Sequence, residues 1–238
     1  TVLYIRNPID YQDDWTSPDW LREMGQNNGS QFAETFDQAH IIQLIKCKNF
    51  VAPAHLKPAF SDGAEVLCAL TTAETTIAQR EANATAIGNA HKLAVQTLIK
   101  RKVPLSDIIT LAYTDEFSRL LEHPKLLNTN TESGQSAYAD RRLTKLNGIQ
   151  IVENTEFPTA AIAGHVLGPA FDVSATEALV KLVVFSKSKT LVTVEAQPFT
   201  SRMWDDQLNF ANVLDCYAMY TVGQRRPDTA VAIRCTYS

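Results

Sequence analysis

The sequence predicts an α+β fold, with helices early and strands late. Two observations carry this. Apolar residues recur at three- and four-residue steps over 20–48 and again over 82–101, as they do on one face of a helix. From 179 onward the chain is strand-rich, with short extended runs separated by polar turns.

The chain of 238 residues is long enough for one large domain or two closely joined ones. With 45% hydrophobic and 20% charged residues it has a globular composition, so disorder is not expected. A net charge of −4 argues against tight neutralisation of phosphates and suits a mildly acidic wall that does not stick to DNA. No apolar stretch approaches the ~18 residues of a membrane helix, and no signal peptide is visible. Cys47, Cys68, Cys216 and Cys235 share no C-x-x-C spacing, so reduced, buried thiols are expected; a disulfide or zinc site is the alternative.

The elements follow in order. Thr1-Val2-Leu3-Tyr4-Ile5 is the end of a strand whose partner is expected upstream, in a longer gene product, and Asn7-Pro8 is expected to turn. Ser17 as N-cap, Pro18 as first helical residue and Asp13, Asp14 and Asp19 nearby mark a helix start. Leu21, Met24, Phe32, Phe36, Ala39, Ile42 and Ile45 form its stripe, and the polar gap Gly25–Ser30 is expected to bend or loosen it. Residues 50–62, with two prolines, connect to a second helix whose inner face is Ile87, Ala90, His91, Ala94 and Leu98 and which Pro104 stops. Ile108–Tyr113 is a short buried strand, and Thr114 caps a third helix to about Glu122. A polar loop over 123–145 leads to a turn at Asn147-Gly148 and a strand over 149–152. After an irregular stretch over 154–178, strands are expected over 179–185, 191–197, 209–222 and 229–237, with Phe210, Leu214, Cys216, Ala218 and Tyr220 on one face.

Motifs for chemistry are few. His40, His55, His91, His123 and His165 match no ligand spacing, and His91 reads as a core histidine. There is no G-x-S-x-G and no glycine-rich phosphate loop. Asp13-Asp14 and Asp115-Glu116 could form acid/base pairs but read more naturally as helix-start charges; Lys100-Arg101-Lys102 could touch DNA but reads as a solvated helix end. No catalytic, cofactor-binding or metal-binding residue is assigned.

Four collinear segments carry a resemblance. Phe210–Leu214, Cys216–Tyr220 and Arg225-Arg226-Pro227-Asp228-Thr229-Ala230-Val231-Ala232 resemble the closing segment of HK97-fold major capsid proteins of tailed bacteriophages. Val103-Pro104 through Thr114–Ser118, and Leu146–Glu153 followed by Pro158, are similar to capsid proteins of short-tailed, podovirus-type phages, and Asp19–Asp37 matches the family's spine helix. The resemblance implies an HK97-like subunit: 1–15 the end of an extended-loop strand, 16–49 the spine helix of a peripheral domain, 50–178 an axial domain, 179–208 peripheral strands, and 209–238 strands returning to the axial domain. It implies structural roles for Asp37, Arg226 and Pro227. It implies self-assembly as hexamers and pentamers into an icosahedral shell around double-stranded DNA. The implied partners are a scaffolding protein, a portal and in some cases a cement protein, with assembly in the bacterial cytoplasm and no membrane. An encapsulin-type cargo compartment and an α+β enzyme with an unrecognised site are the rival readings.

Overall fold

A computed structural model describes residues 2–12, 19–57, 59–123 and 145–238. Asp13, Asp14, Ser17 and Pro18, and most of the expected polar loop, lie outside the described residues. The elements are β1 (Leu3–Asp10), α1 (Trp20–Lys46), β2 (Ala64–Leu70), α2 (Ile77–Lys100), β3 (Ile108–Tyr113), α3 (Thr114–Leu120), β4 (Lys145–Leu146), β5 (Ile149–Asn154), β6 (Val180–Ser186), β7 (Leu191–Asp206), β8 (Ala211–Gln224) and β9 (Ala230–Tyr237).

They form two sheets. An antiparallel sheet of three has the order β1-β8-β7, and a mixed sheet of six has the order β2-β9-β6-β3-β5-β4. In the larger sheet β2 runs parallel to β9 and β3 parallel to β5. α2 lays Ile87, Ala90, Ala94 and Leu98 on one face of it, against Ile108, Ile149, Leu182 and Ile233. α1 serves both sheets. Phe32, Ala39 and Ile42 pack on Leu3, Leu214, Cys216, Ala218 and Tyr220 of the small sheet. One helical face further round, Ile41, Leu44 and Ile45 cover Val180, Val183 and Ala232 on the second face of the large one. Each fully buried isoleucine in that seam contributes on the order of 1.5–3 kcal/mol.

Several expectations need correction. β1 does not turn at Asn7-Pro8 but runs to Asp10, with Pro8 opposite Val213. It is an edge strand, where a missing N–H breaks no ladder. α1 passes unbroken through Gly25–Ser30. Asn28 in that gap is buried and anchored: its Oδ1 accepts from Asn7 Nδ2 at 3.2 Å and its Nδ2 donates to Cys216 Sγ at 3.6 Å. Tertiary contacts thus outweigh the weak local propensity. α2 starts at Ile77 rather than 82, because Thr76 and Gln79 form a capping box. Thr114 does not cap α3: Tyr113 holds the N-cap position, and Thr114 Oγ1 is buried without a hydrogen-bond partner among the described residues. β7 extends to Asp206, and Phe210 leaves the inner face of β8, sitting exposed at φ 52° in the turn.

Residues 180–186 join the large sheet beside β3 and β9, and 211–224 join the small sheet. Burial explains both placements. β6 is apolar on its two faces and needs cover on each, so it takes a central place; β8 alternates and needs only α1 beneath it.

Candidate functional site

The chain crosses between the sheets twice near one spot, from β6 to β7 and from β8 to β9. Polar side chains tie the two crossings together. Arg225 N and Arg226 N donate to Thr190 O at 2.9 and 3.2 Å, and Thr190 Oγ1 meets Thr229 Oγ1 at 2.9 Å. Asp107 closes the β6–β7 side, accepting from Ser188 Oγ at 2.8 Å, Ser188 N at 3.2 Å and Ser186 Oγ.

Two of the three expected structural residues sit here. Arg226 donates Nε to Asp228 Oδ1 at 3.2 Å and Nη2 to Oδ2 at 2.8 Å. The same guanidinium reaches Ala59 O at 3.3 Å and stacks 4.7 Å from the centre of the Phe60 ring. Pro227 opens a buried 3-10 turn, Pro227–Thr229, in which Thr229 Oγ1 donates to Arg226 O at 2.7 Å. Arg101, expected on a solvated helix end, instead donates to Asp228 O at 2.7 Å and Asp62 O at 2.8 Å. The 59–62 connector is thereby fastened to the turn before β9. Asp37 lies apart, exposed on α1, in a cleft of about 530 Å³ with Glu34, Glu153 and Glu156. Burial, aided by the Asp37 carboxylate, pushes the Tyr220 phenol up to about 12.

A buried charge cluster was not read from the sequence. Glu116 is 1% exposed; its Oε1 accepts from Arg119 Nη1 at 3.1 Å and from Tyr237 Oη. Arg119 Nε also donates to Glu74 Oε1 at 2.7 Å. Burial pushes the Glu116 carboxyl up despite these donors, and it pulls the Lys181 ammonium down. The adjacent cleft, about 270 Å³, is lined by Glu74, Arg80, Asp115, Ser118, Arg119 and Glu122. Glu116 itself does not line it, so its raised carboxyl does not face this cleft. Alternation gave no warning, because Glu116 sits in a first helical turn where an exposed acid is ordinary.

The five histidines are dispersed, and among the described residues no group of three or more His, Cys, Asp or Glu could hold a metal. The four cysteines are buried and free. Among the described residues no helix is long and apolar enough to cross a membrane.

The most conspicuous surface is the small sheet. β7 is exposed along nearly its whole length, including Val192, Val194, Phe199, Met203 and Trp204. On its outer face Asp215 accepts from Arg6 Nε at 2.7 Å and from Trp204 Nε1 at 2.9 Å. A second apolar groove of about 280 Å³ runs between β1 and α1, lined by Val2, Tyr4, Phe32 and Val166 among others. Exposed apolar side chains gathered on one sheet form the kind of surface that a partner covers.

Solved structures show which class of protein carries this fold and surface: a shell subunit. No family model matches the chain, and no curated protein does. The subunit in the asymmetric unit of the mature capsid of bacteriophage PhiM1 is 42% identical over 99% of this chain and 71% of that one, with a TM-score of 0.87. The capsid of cyanophage P-SCSP1u matches at 17% identity over 100% of this chain and 72% of that one, TM-score 0.79. A virus-like particle from Pyrococcus furiosus shares the fold at 9% identity over 98% and 75%, TM-score 0.56. The chain belongs to the HK97-like major capsid proteins of phages. It is a capsid shell protein, and its place is the virion capsid.

Proposed function

We infer that copies of this chain assemble as hexamers and pentamers that close an icosahedral head around the double-stranded DNA of a tailed phage. The 42% identity to the PhiM1 capsid subunit over 99% of the chain carries this reading. The net charge of −4 supports enclosure of DNA without sequence-specific binding. In this reading α1 with β1, β7 and β8 is the peripheral part, and the six-stranded sheet with α2 and α3 is the axial part. Asp37, Arg226 and Pro227 act structurally. A scaffolding protein during assembly, a portal at one vertex and in some phages a cement protein complete the partners.

The test is electron microscopy of the purified full-length product, with scaffold supplied. Closed particles with five- and six-fold capsomers are the expected outcome; a protein that stays monomeric overturns the proposal. The likeness to the archaeal virus-like particle keeps a cargo compartment as a second reading. Neighbouring portal and terminase genes favour the phage head, and a neighbouring cargo enzyme favours the compartment.

A further inference from the structure

The turn Asn147-Gly148 joins β4 to β5 with both residues at positive φ, 52° and 81°. This two-residue hairpin geometry suits Asn-Gly. It also sets an asparagine amide beside the one residue type whose backbone nitrogen is unshielded, and nothing lies within 4 Å of where a Gly148 Cβ would stand. Both residues are exposed, so water reaches them. The Asn147 side chain does not point freely into that water. Its Nδ2 donates to His91 Nδ1 at 3.0 Å. His91 lies on α2 and is fully buried, and its Nε2 meets Thr110 Oγ1 on β3 at 2.9 Å. The amide NH2 can only donate, so the neutral ring accepts at Nδ1, carries its proton at Nε2 and donates to Thr110 Oγ1, which accepts in this arrangement.

We propose that Asn147 is a latent deamidation site, held closed by its hydrogen bond to His91. In the reaction the Gly148 backbone nitrogen attacks Asn147 Cγ. An N–Cγ bond forms, the Cγ–Nδ2 bond breaks, and ammonia departs with the proton from Gly148. Water then opens the cyclic imide to aspartate or isoaspartate, with no redox change. While the bond holds, the carboxamide is tied to His91 on α2 and is not free to rotate toward the attacking nitrogen. The product carboxylate only accepts, so the ring keeps this contact only by moving its proton to Nδ1 and giving up its donation to Thr110. Deamidation therefore loosens the contact between the β4–β5 hairpin and α2.

The chain contains a second Asn-Gly pair, Asn28-Gly29 in α1, which serves as an internal reference. The experiment incubates the folded subunit and the urea-unfolded chain at the same mildly alkaline pH and follows both sites by peptide mass spectrometry. Asn147 should react about five- to tenfold faster once unfolded, the factor that one hydrogen bond of ordinary net strength supplies. Thr110→Val, which removes the ring's partner at Nε2, and His91→Leu, which removes the acceptor, should each speed Asn147 in the folded subunit and leave Asn28 unchanged. Equal rates for Asn147 in the folded and unfolded wild type overturn the proposal. So do variants that leave Asn147 unchanged or that speed both sites alike, since that is general loosening. Asn147→Asp, the product itself, should melt below wild type, and equal melting would remove the claim that the ring distinguishes amide from acid.

Discussion

His91 shows how far a single residue can be read from a sequence. Its place on the apolar face of α2 was legible from the three- and four-residue spacing of Ile87, Ala90, Ala94 and Leu98. Its partners were not, because Thr110 and Asn147 reach it from separate strands that only the folded sheet brings together. Burial lowers the ring's pKa from 6.5 to about 4. The unfolded chain takes up a proton as pH falls through 6.5, while the folded chain does not until about 4. The stability this ring contributes is therefore complete above 6.5 and is lost on the way down to 4, on the order of 3 kcal/mol at 1.36 kcal/mol per unit. Glu116 works in the opposite sense: its raised carboxyl makes the fold gain stability as pH falls through its folded pKa toward its ordinary value. Denaturant unfolding at several pH values should show a shallower acid loss in His91→Gln than in wild type; an identical slope would remove His91 as its source. Arg226 is the other informative residue. The Arg-Pro turn could be named from sequence, but not the carboxylate, carbonyl and ring that the guanidinium joins. Arg226→Ala leaves Asp228 only 3% exposed and short of its bidentate donor, and should cost about 1–3 kcal/mol in the same measurement. Arg226→Lys should recover only part of this, since an ammonium is not a planar fork.

At the scale of elements, legibility followed periodicity. α2, β3, β6 and β9 carry strong apolar patterns and stand within a few residues of where they were expected. β2 went unread. Its sequence, Ala64-Glu65-Val66-Leu67-Cys68-Ala69-Leu70, is rich in helix formers, and it is a strand because β9, far along the chain, pairs with it in parallel. What seats β2 is the approach at Gly63, whose N–H donates to Phe50 O at 2.7 Å. A Cβ there would lie 2.3 Å from Cys47 O and 2.4 Å from Lys48 O. Both are backbone atoms at the end of α1, so neither can swing aside. Gly63→Ala must displace either the α1 terminus or the start of β2, at about 1–3 kcal/mol or more. Thermal unfolding of Gly63→Ala beside Gly25→Ala makes the comparison: Gly25 meets nothing within 4 Å, so that change should be neutral or stabilising. A Gly63 variant as stable as wild type would mean that this approach is slack.

For the whole molecule, the two sheets differ in how completely the subunit covers them. The large sheet has α2 and α3 on one face, and the end of α1 covers part of the other. The small sheet has α1 on one face; among the described residues nothing pairs with the outer edges of β1 and β7, and β7 is exposed along nearly its whole length. A sixteen-residue edge strand bearing Val192, Val194, Met203 and Trp204 in the open would invite unspecific pairing if nothing met it. A monomeric protein blunts such an edge. A shell subunit can leave it open, because neighbouring copies supply the cover and association makes the stability depend on assembly. Hydrogen exchange on unassembled subunits and on closed particles checks this. In the subunit, amides of β3, β6 and β9 should exchange slowly and those of β1 and β7 quickly. On assembly the gain in protection should concentrate in β1 and β7, with little change in the central strands, which already have partners on both sides. A gain spread evenly over both sheets would mean that assembly tightens the subunit as a whole, and the small sheet would lose its standing as the surface that neighbours cover.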